Sequence, residues 1–241
     1  MKFLIAYPRL YAHCVVEAFK GLLKAPWTLL LPIAIAFVMV TLSPILAPLG
    51  LAGGFLLGIA LTFLSSCYLY FLGGVVAKQS VSLKDLKKSF LAYFWSVMNL
   101  GFVFWIASIG LNFALEHNPN GKAFRAALNL AALVALNAAP ETLYIKGSVG
   151  GIETIQRSVR FLQDNWIEWF LPNALILAAA WFFPAIAQAA IAVTNPAALI
   201  LGTGLLGGIL GHVVMVFRGQ LYSELDASTH RQRVFKYGGN R

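Results

Sequence analysis

Apolar residues in this chain run in long blocks, separated by short basic segments or by Pro/Gly-rich turns. Six blocks reach the ~20 residues that a membrane-crossing helix needs. They are Trp27–Leu46, Leu51–Ala77, Phe90–Leu115, Ala126–Ile145, Ile167–Val193 and Ala197–Phe217. The first two meet at SPILAPLGLAGG and the last two at TNPAA, while Asn129, Asn137 and Glu141 interrupt the fourth. The pattern predicts an all-α integral membrane protein with six transmembrane helices. The whole chain, 1–241, is expected to be one polytopic domain: an amphipathic segment over 1–26, spans over 27–217 and a tail over 218–241.

Composition excludes a soluble alternative. Of 241 residues, 59% are hydrophobic and 11% charged, against roughly 45–50% and about 25% in soluble domains. Six spans leave no room for a sizeable soluble domain. The formal net charge of +9 is explained by where the bases stand. Lys2, Arg9, Lys20 and Lys24 precede the first span, and Lys78, Lys84, Lys87 and Lys88 separate the second from the third. Lys146, Arg157 and Arg160 separate the fourth from the fifth, and Arg218, Arg231, Arg233, Lys236 and Arg241 follow the sixth. The opposite side holds only Lys122 and Arg125. By the positive-inside rule both termini are expected in the cytoplasm. The same placement removes nucleic acid as a partner, because no basic segment carries interleaved aromatic or glycine residues. LIAY, near the N-terminus, is too short for a signal-peptide core, so this end is expected to be retained.

The approaches to the odd-numbered spans look alike. VVEAFKGLLKAPW, LKDLKKSFLAYFW and IETIQRSVRFLQDNW are each basic, amphipathic and closed by a tryptophan. Trp27, Trp95 and Trp166 are 68 and 71 residues apart. This spacing predicts three parallel copies of one unit: an interfacial helix, a span out and a span back. In the third approach Ile152, Ile155, Val159 and Leu162 form an apolar stripe beside Arg157 and Arg160. Such a helix lies in the headgroup plane. Lys20, Lys24, Lys84, Lys87, Lys88, Arg157, Arg160 and the three tryptophans are therefore the candidate lipid-interface residues.

Candidate chemistry inside the spans is sparse. Gly50, Gly54 and Gly58, and likewise Gly204 with Gly208 and Gly207 with Gly211, recur every four residues, which predicts close helix packing. Glu141 and His212 stand five and six residues before Lys146 and Arg218, at ~8–9 Å depth. Asn137, Asn99 and Asn173 fall slightly deeper. An ionisable group within a bilayer is a functional candidate, so these five residues form a candidate polar pocket, or else simply bond one another across helices. Glu168, at the mouth of the fifth span, is expected to pair with a nearby base such as Arg160. The tail is expected to extend the sixth span and then become polar and flexible. Cys14 and Cys67 read as packing residues, and none of the four histidines has a second metal ligand at helical spacing. With no nucleophile elbow, P-loop or HExxH either, neither an enzyme nor a cofactor is expected.

The stretch from Pro140 to Asn173, with PETLYIKG and SVGGIETIQRSVRFLQDNWIEWFLPN, and the later FRGQLYSEL, resembles bacterial inner-membrane proteins of the YciC type. It is similar also to the membrane domain attached to some glycerophosphodiesterases. The resemblance implies a polytopic helical fold in a bacterial cytoplasmic membrane and carries no catalytic residues. Two functions stand open. One is a non-enzymatic, lipid-interacting scaffold or subunit of a larger envelope complex, with membrane lipids, other membrane proteins or further copies of itself as partners. The other is a small permease or channel subunit using the polar pocket.

Overall fold

The structure, a computed structural model, describes residues 2–79, 81–115, 120–147, 150–190 and 196–238; side chains are described for these apart from 2–5, 183–190 and 196–201. The described residues form helices and no strand. In chain order they are α1 (Lys2–Lys24), α2 (Leu31–Leu46), α3 (Leu51–Val76), α4 (Leu86–Ala92), α5 (Phe94–Leu115), α6 (Gly121–Ala135), α7 (Ala139–Lys146), α8 (Gly151–Ala190), α9 (Pro196–Asp226) and α10 (His230–Gly238). Among the described residues, five helical stretches are long and apolar enough to cross a membrane: Pro26–Leu49, Leu51–Val76, Leu83–Leu115, Gly121–Lys146 and Gly202–Asp226. The block at Ile167–Val193 continues α8, and its residues 191–193, with Thr194 and Asn195 of the TNPAA turn, lie outside the described residues.

Prolines and glycines set several boundaries. Pro26 disfavours the helical region for the residue before it, and Ala25 sits at φ −140, ψ 61, which ends α1. Pro140, at the start of α7, would clash with the carbonyl four residues back, and the helix is interrupted over 136–138. Gly50 joins α2 to α3 at φ 57, ψ −126, a conformation open to glycine.

The chain divides into two compact units. The first comprises Met1–Leu57, Phe71–Val81 and Asn165–Arg241. Within it α1 packs on α9 and α10, and α2 packs on α9. Ala6, Leu10, Cys14, Ala18 and Leu22 form the buried stripe of α1, with Ala25 buried just after it, while Val16, Phe19 and Leu23 are exposed on it. Phe71, Leu72, Trp169, Leu221 and Tyr222 complete this core, with the edge of the Trp169 ring set against Tyr222. The second unit comprises Gly58–Tyr70 and Ser82–Asp164. Phe63 stacks on Phe94 with ring centroids 4.2 Å apart and meets Phe90 edge-on.

Large apolar side chains point outward along these apolar helices, among them Phe37, Phe55, Phe102, Trp105 and Leu133, and along α8 at Leu175. Such a surface is a liability in water and the expected one in lipid.

Two expectations are corrected. The glycine stripes are not the main packing seams among the described residues: a Cβ at Gly54, Gly58, Gly204 or Gly211 would meet none of them within 4 Å, and at Gly208 it would make only ordinary contact with Pro32 and Ile33. The close approaches are elsewhere, where a Cβ on Gly21 would stand 2.5 Å from the Val75 carbonyl and one on Gly151 would stand 2.9 Å from the Asn99 backbone. On the third approach Thr154, Ser158, Phe161 and Leu162 are buried, so that of the apolar stripe Leu162 packs inward while Ile152 is 64% exposed. Finally, residues 230–238 of the tail fold into α10 with Arg233 and Tyr237 buried, so this part is docked on α1.

Candidate functional site

The helix breaks recruit the buried polar side chains. Tyr93, at φ −122, ψ 6, separates α4 from α5. In an unbroken helix its N–H would donate to the carbonyl of Ser89, four residues earlier. Instead the N–H donates to the Ser66 hydroxyl at 2.8 Å, and that hydroxyl donates to the Ser89 carbonyl at 2.9 Å. One buried serine from α3 is thus inserted into the hydrogen-bond ladder and satisfies both groups, a recognised cause of a sharp kink. The Ser89 hydroxyl in turn lies 3.2 Å from Cys67 Sγ. A second break, over 136–138, leaves the Ala135 carbonyl without its helical donor, and Ser158 Oγ donates to it at 2.9 Å.

Breaks in the first unit are satisfied in the same way at Ala25 and with different chemistry at Asn165. At Ala25 the carbonyl accepts from the Thr28 hydroxyl at 2.7 Å and the Thr28 N–H at 3.1 Å. Thr28 Oγ1 lies 3.2 Å from His212 Nε2. Because the hydroxyl proton goes to Ala25, Nε2 is the donor in this contact, which fixes the histidine tautomer.

At Asn165, φ −132 and ψ 22, α8 kinks. Here the tail supplies the partners. Arg233 Nη2 donates to Asn165 Oδ1 at 2.8 Å and to Glu168 Oε1 at 3.2 Å, and Nη1 donates to the Leu225 carbonyl at 3.0 Å and to the Ser228 carbonyl. His230 Nδ1 lies 2.6 Å from the same Glu168 oxygen, and Tyr11 donates to the Glu168 carbonyl at 3.1 Å. The Glu168–Arg233 pair is buried, and Arg233 Nε has no hydrogen-bond partner among the described residues. The expected partner Arg160 is replaced by Arg233 and His230, because the tail folds back onto the first turns after the kink.

The five candidate pocket residues fall in both units. Glu141 is fully buried in the first turn of α7, where a carboxylate suits the helix dipole. Asn137 lies in the break before it, and Asn99 is exposed on α5. These three belong to the second unit. His212 is fully buried in the first unit, and Asn173 Nδ2 there donates to the Trp169 carbonyl at 2.6 Å.

The interface candidates divide similarly. Lys84, Lys87, Lys88 and Arg160 are exposed, and Arg157 pairs with Glu153 at 2.5 Å. Trp95 and Trp166 are 67% and 62% exposed. Trp27 instead packs edge-on against Phe71 at 5.0 Å and donates to the Val81 carbonyl at 3.3 Å. Lys20 Nζ donates to Glu17 at 2.8 Å, Lys78 donates to the other Glu17 oxygen, and Lys24 donates to the Lys78 carbonyl at 3.3 Å. Hydrogen bonds from Lys20 and then Lys78 hold the Glu17 carboxyl down to about 2. Burial pushes the Cys14 thiol up to about 12, which leaves it unreactive.

Sequence reasoning missed the inserted Ser66, the Ser158 cap and the Arg233–Glu168 network. One signal was available. Ser66, Pro140 and His212 each stand seven residues before a glycine in an apolar exit, FLG at 71–73, IKG at 145–147 and FRG at 217–219. Chemically, these groups hold bent helices; no cluster of three or more metal-ligating side chains occurs among the described residues. No protein-family model, curated protein or solved structure matches the chain.

Proposed function

We propose that this protein is a non-enzymatic, lipid-interacting scaffold or envelope-complex subunit of a bacterial inner membrane. In this reading it crosses six times with both termini in the cytoplasm, as three parallel hairpins. The observation that carries the reading is where the buried hydroxyls go: Ser66, Ser158 and Thr28 all satisfy interrupted helix backbone. Groups fixed in this way hold shape. The repeat is supported by breaks at Ala25, Tyr93 and Asn165, each one or two residues before Trp27, Trp95 and Trp166. It is supported also by Ser66 and His212, at matching distances from the exits, which reach the breaks at Tyr93 and Thr28. The exposed lysines of the second approach and the outward Ile152 and Trp166 of the third suit a headgroup layer.

The test is reconstitution into vesicles with and without anionic phospholipid, followed by native mass spectrometry of retained lipid and an ion-flux assay. Retention of anionic lipid without flux is the expected result. Flux that disappears in Glu141→Gln or His212→Asn at normal folded yield would replace the scaffold with a permease. Topology is checked separately with a membrane-impermeant thiol reagent on intact cells: a cysteine placed at Asn118 is labelled and one at Asn240 is not.

A further inference from the structure

Sixteen of the eighteen bases stand on one side of the apolar blocks, and Arg125 is one of the two exceptions. It does not stand alone. Ile109, Asn112 and Phe113 on α5, with Arg125 on α6, line a shallow groove of about 460 Å³. That size falls among ordinary small-molecule sites. The two helices meet closely at this end, where a Cβ on Gly121 would stand 2.5 Å from the Leu115 carbonyl.

The chemistry of the groove is ordered by depth. Asn112 is three residues, ~4.5 Å, from the end of α5, and Arg125 is four residues, ~6 Å, from the start of α6. The amide and the guanidinium therefore share one level. Ile109 lies a further turn inward on the Asn112 side of α5, and Phe113 beside it is 82% exposed. A guanidinium presents a planar fork of donors that suits a phosphate. An exposed isoleucine and phenylalanine next to it suit a hydrocarbon chain.

We propose that this groove binds an anionic phospholipid on the side opposite the lysine-rich segments. Arg125 and Asn112 take the phosphate, and Ile109 and Phe113 lie along the acyl chain. The inference rests on the membrane reading above and names a lipid class and a leaflet for it.

The full chain is reconstituted in vesicles carrying a photoactivatable phosphatidylglycerol, or a phosphatidylcholine with the same chains, and the labelled peptides are mapped. Phosphatidylglycerol should label the 105–130 region about fivefold more than phosphatidylcholine, whose choline cation offsets the phosphate charge that Arg125 meets, the scale of one exposed ion pair. Arg125→Gln should erase that preference, while Arg125→Lys keeps part of it and Lys122→Gln keeps it. Arg125 is exposed, so its variants are expected to fold, and their elution is compared with the parent's. Equal labelling by the two lipids, or a preference unchanged in Arg125→Gln, overturns the proposal. So does competition by millimolar inorganic phosphate, which would mark a site for the free ion. Absence of label along all the apolar helices would overturn the membrane reading itself, whereas label without headgroup preference overturns this site alone.

Discussion

The break at Tyr93 and the break at Asn165 solve one problem with different chemistry. Both leave helix backbone or side-chain polar groups inside the protein. At Tyr93 a neutral hydroxyl from Ser66 bridges donor and acceptor. At Asn165 a buried guanidinium from the tail bridges an amide, a carboxylate and two carbonyls. The neutral solution is local and involves no charge. The ionic one ties the kink to α10 and so to the end of the chain, at the cost of two desolvated charges. The ionic break therefore depends on the tail, which supplies both Arg233 and His230 to Glu168.

That contrast predicts the largest effect. Arg233→Met leaves the buried Glu168 with His230 beside it and should destabilise the protein by up to roughly 3–5 kcal/mol, read as a lowered melting temperature in detergent and early proteolysis after Asp226. Adding Glu168→Gln should recover most of the loss. A double variant as unstable as the single one would mean that the ion pair is not what holds the kink.

Ser66→Ala tests the neutral break. Losing the bridging hydroxyl should cost about 1–3 kcal/mol for stranded backbone groups, with faster hydrogen exchange at the Tyr93 amide. Unchanged exchange there would refute the insertion. Ser158→Ala should cost about 1 kcal/mol, since only one carbonyl loses its donor, and should leave the Tyr93 amide untouched.

The smallest effect concerns acid. Glu17 is held well below the ordinary carboxylate value by Lys20 and Lys78. A depressed folded-state value favours the folded protein above the unfolded value of about 4.5, and the gain is lost as pH falls toward about 2. Melting temperature should therefore decline over that window, and Glu17→Gln should flatten the decline attributable to α1. An identical acid profile in the variant would show that the lysines do not stabilise the fold through Glu17.

Much of the helical layout was legible because long apolar blocks have few other homes. Trp27–Leu46 and Leu51–Ala77 correspond closely to the stretches Pro26–Leu49 and Leu51–Val76. The breaks at Pro26 and Pro140 follow from fixed local sterics, although the expected fourth span, Ala126–Ile145, ran through Pro140. The breaks at Tyr93 and Asn165 carried no such signal. Tyrosine and asparagine are tolerated in helices, and what bends the chain there comes from Ser66, 27 residues earlier, and Arg233, 68 residues later.

Glycine spacing misled for a related reason. A four-residue period says that one helix face is bare, but only tertiary packing decides whether another backbone fills it, and at Gly54 and Gly58 none among the described residues does. The same limit applied to Glu168, whose nearest base in sequence lost to one that the folded tail delivers. By itself the sequence determined which segments are apolar enough to leave water, since that follows from each residue's own chemistry, whereas Pro8, Pro44 and Pro172 lie inside helices that continue through them. The tertiary structure alone decided which buried hydroxyls and charges meet the interrupted backbone, because those partners are distant in sequence and become neighbours only when the helices pack.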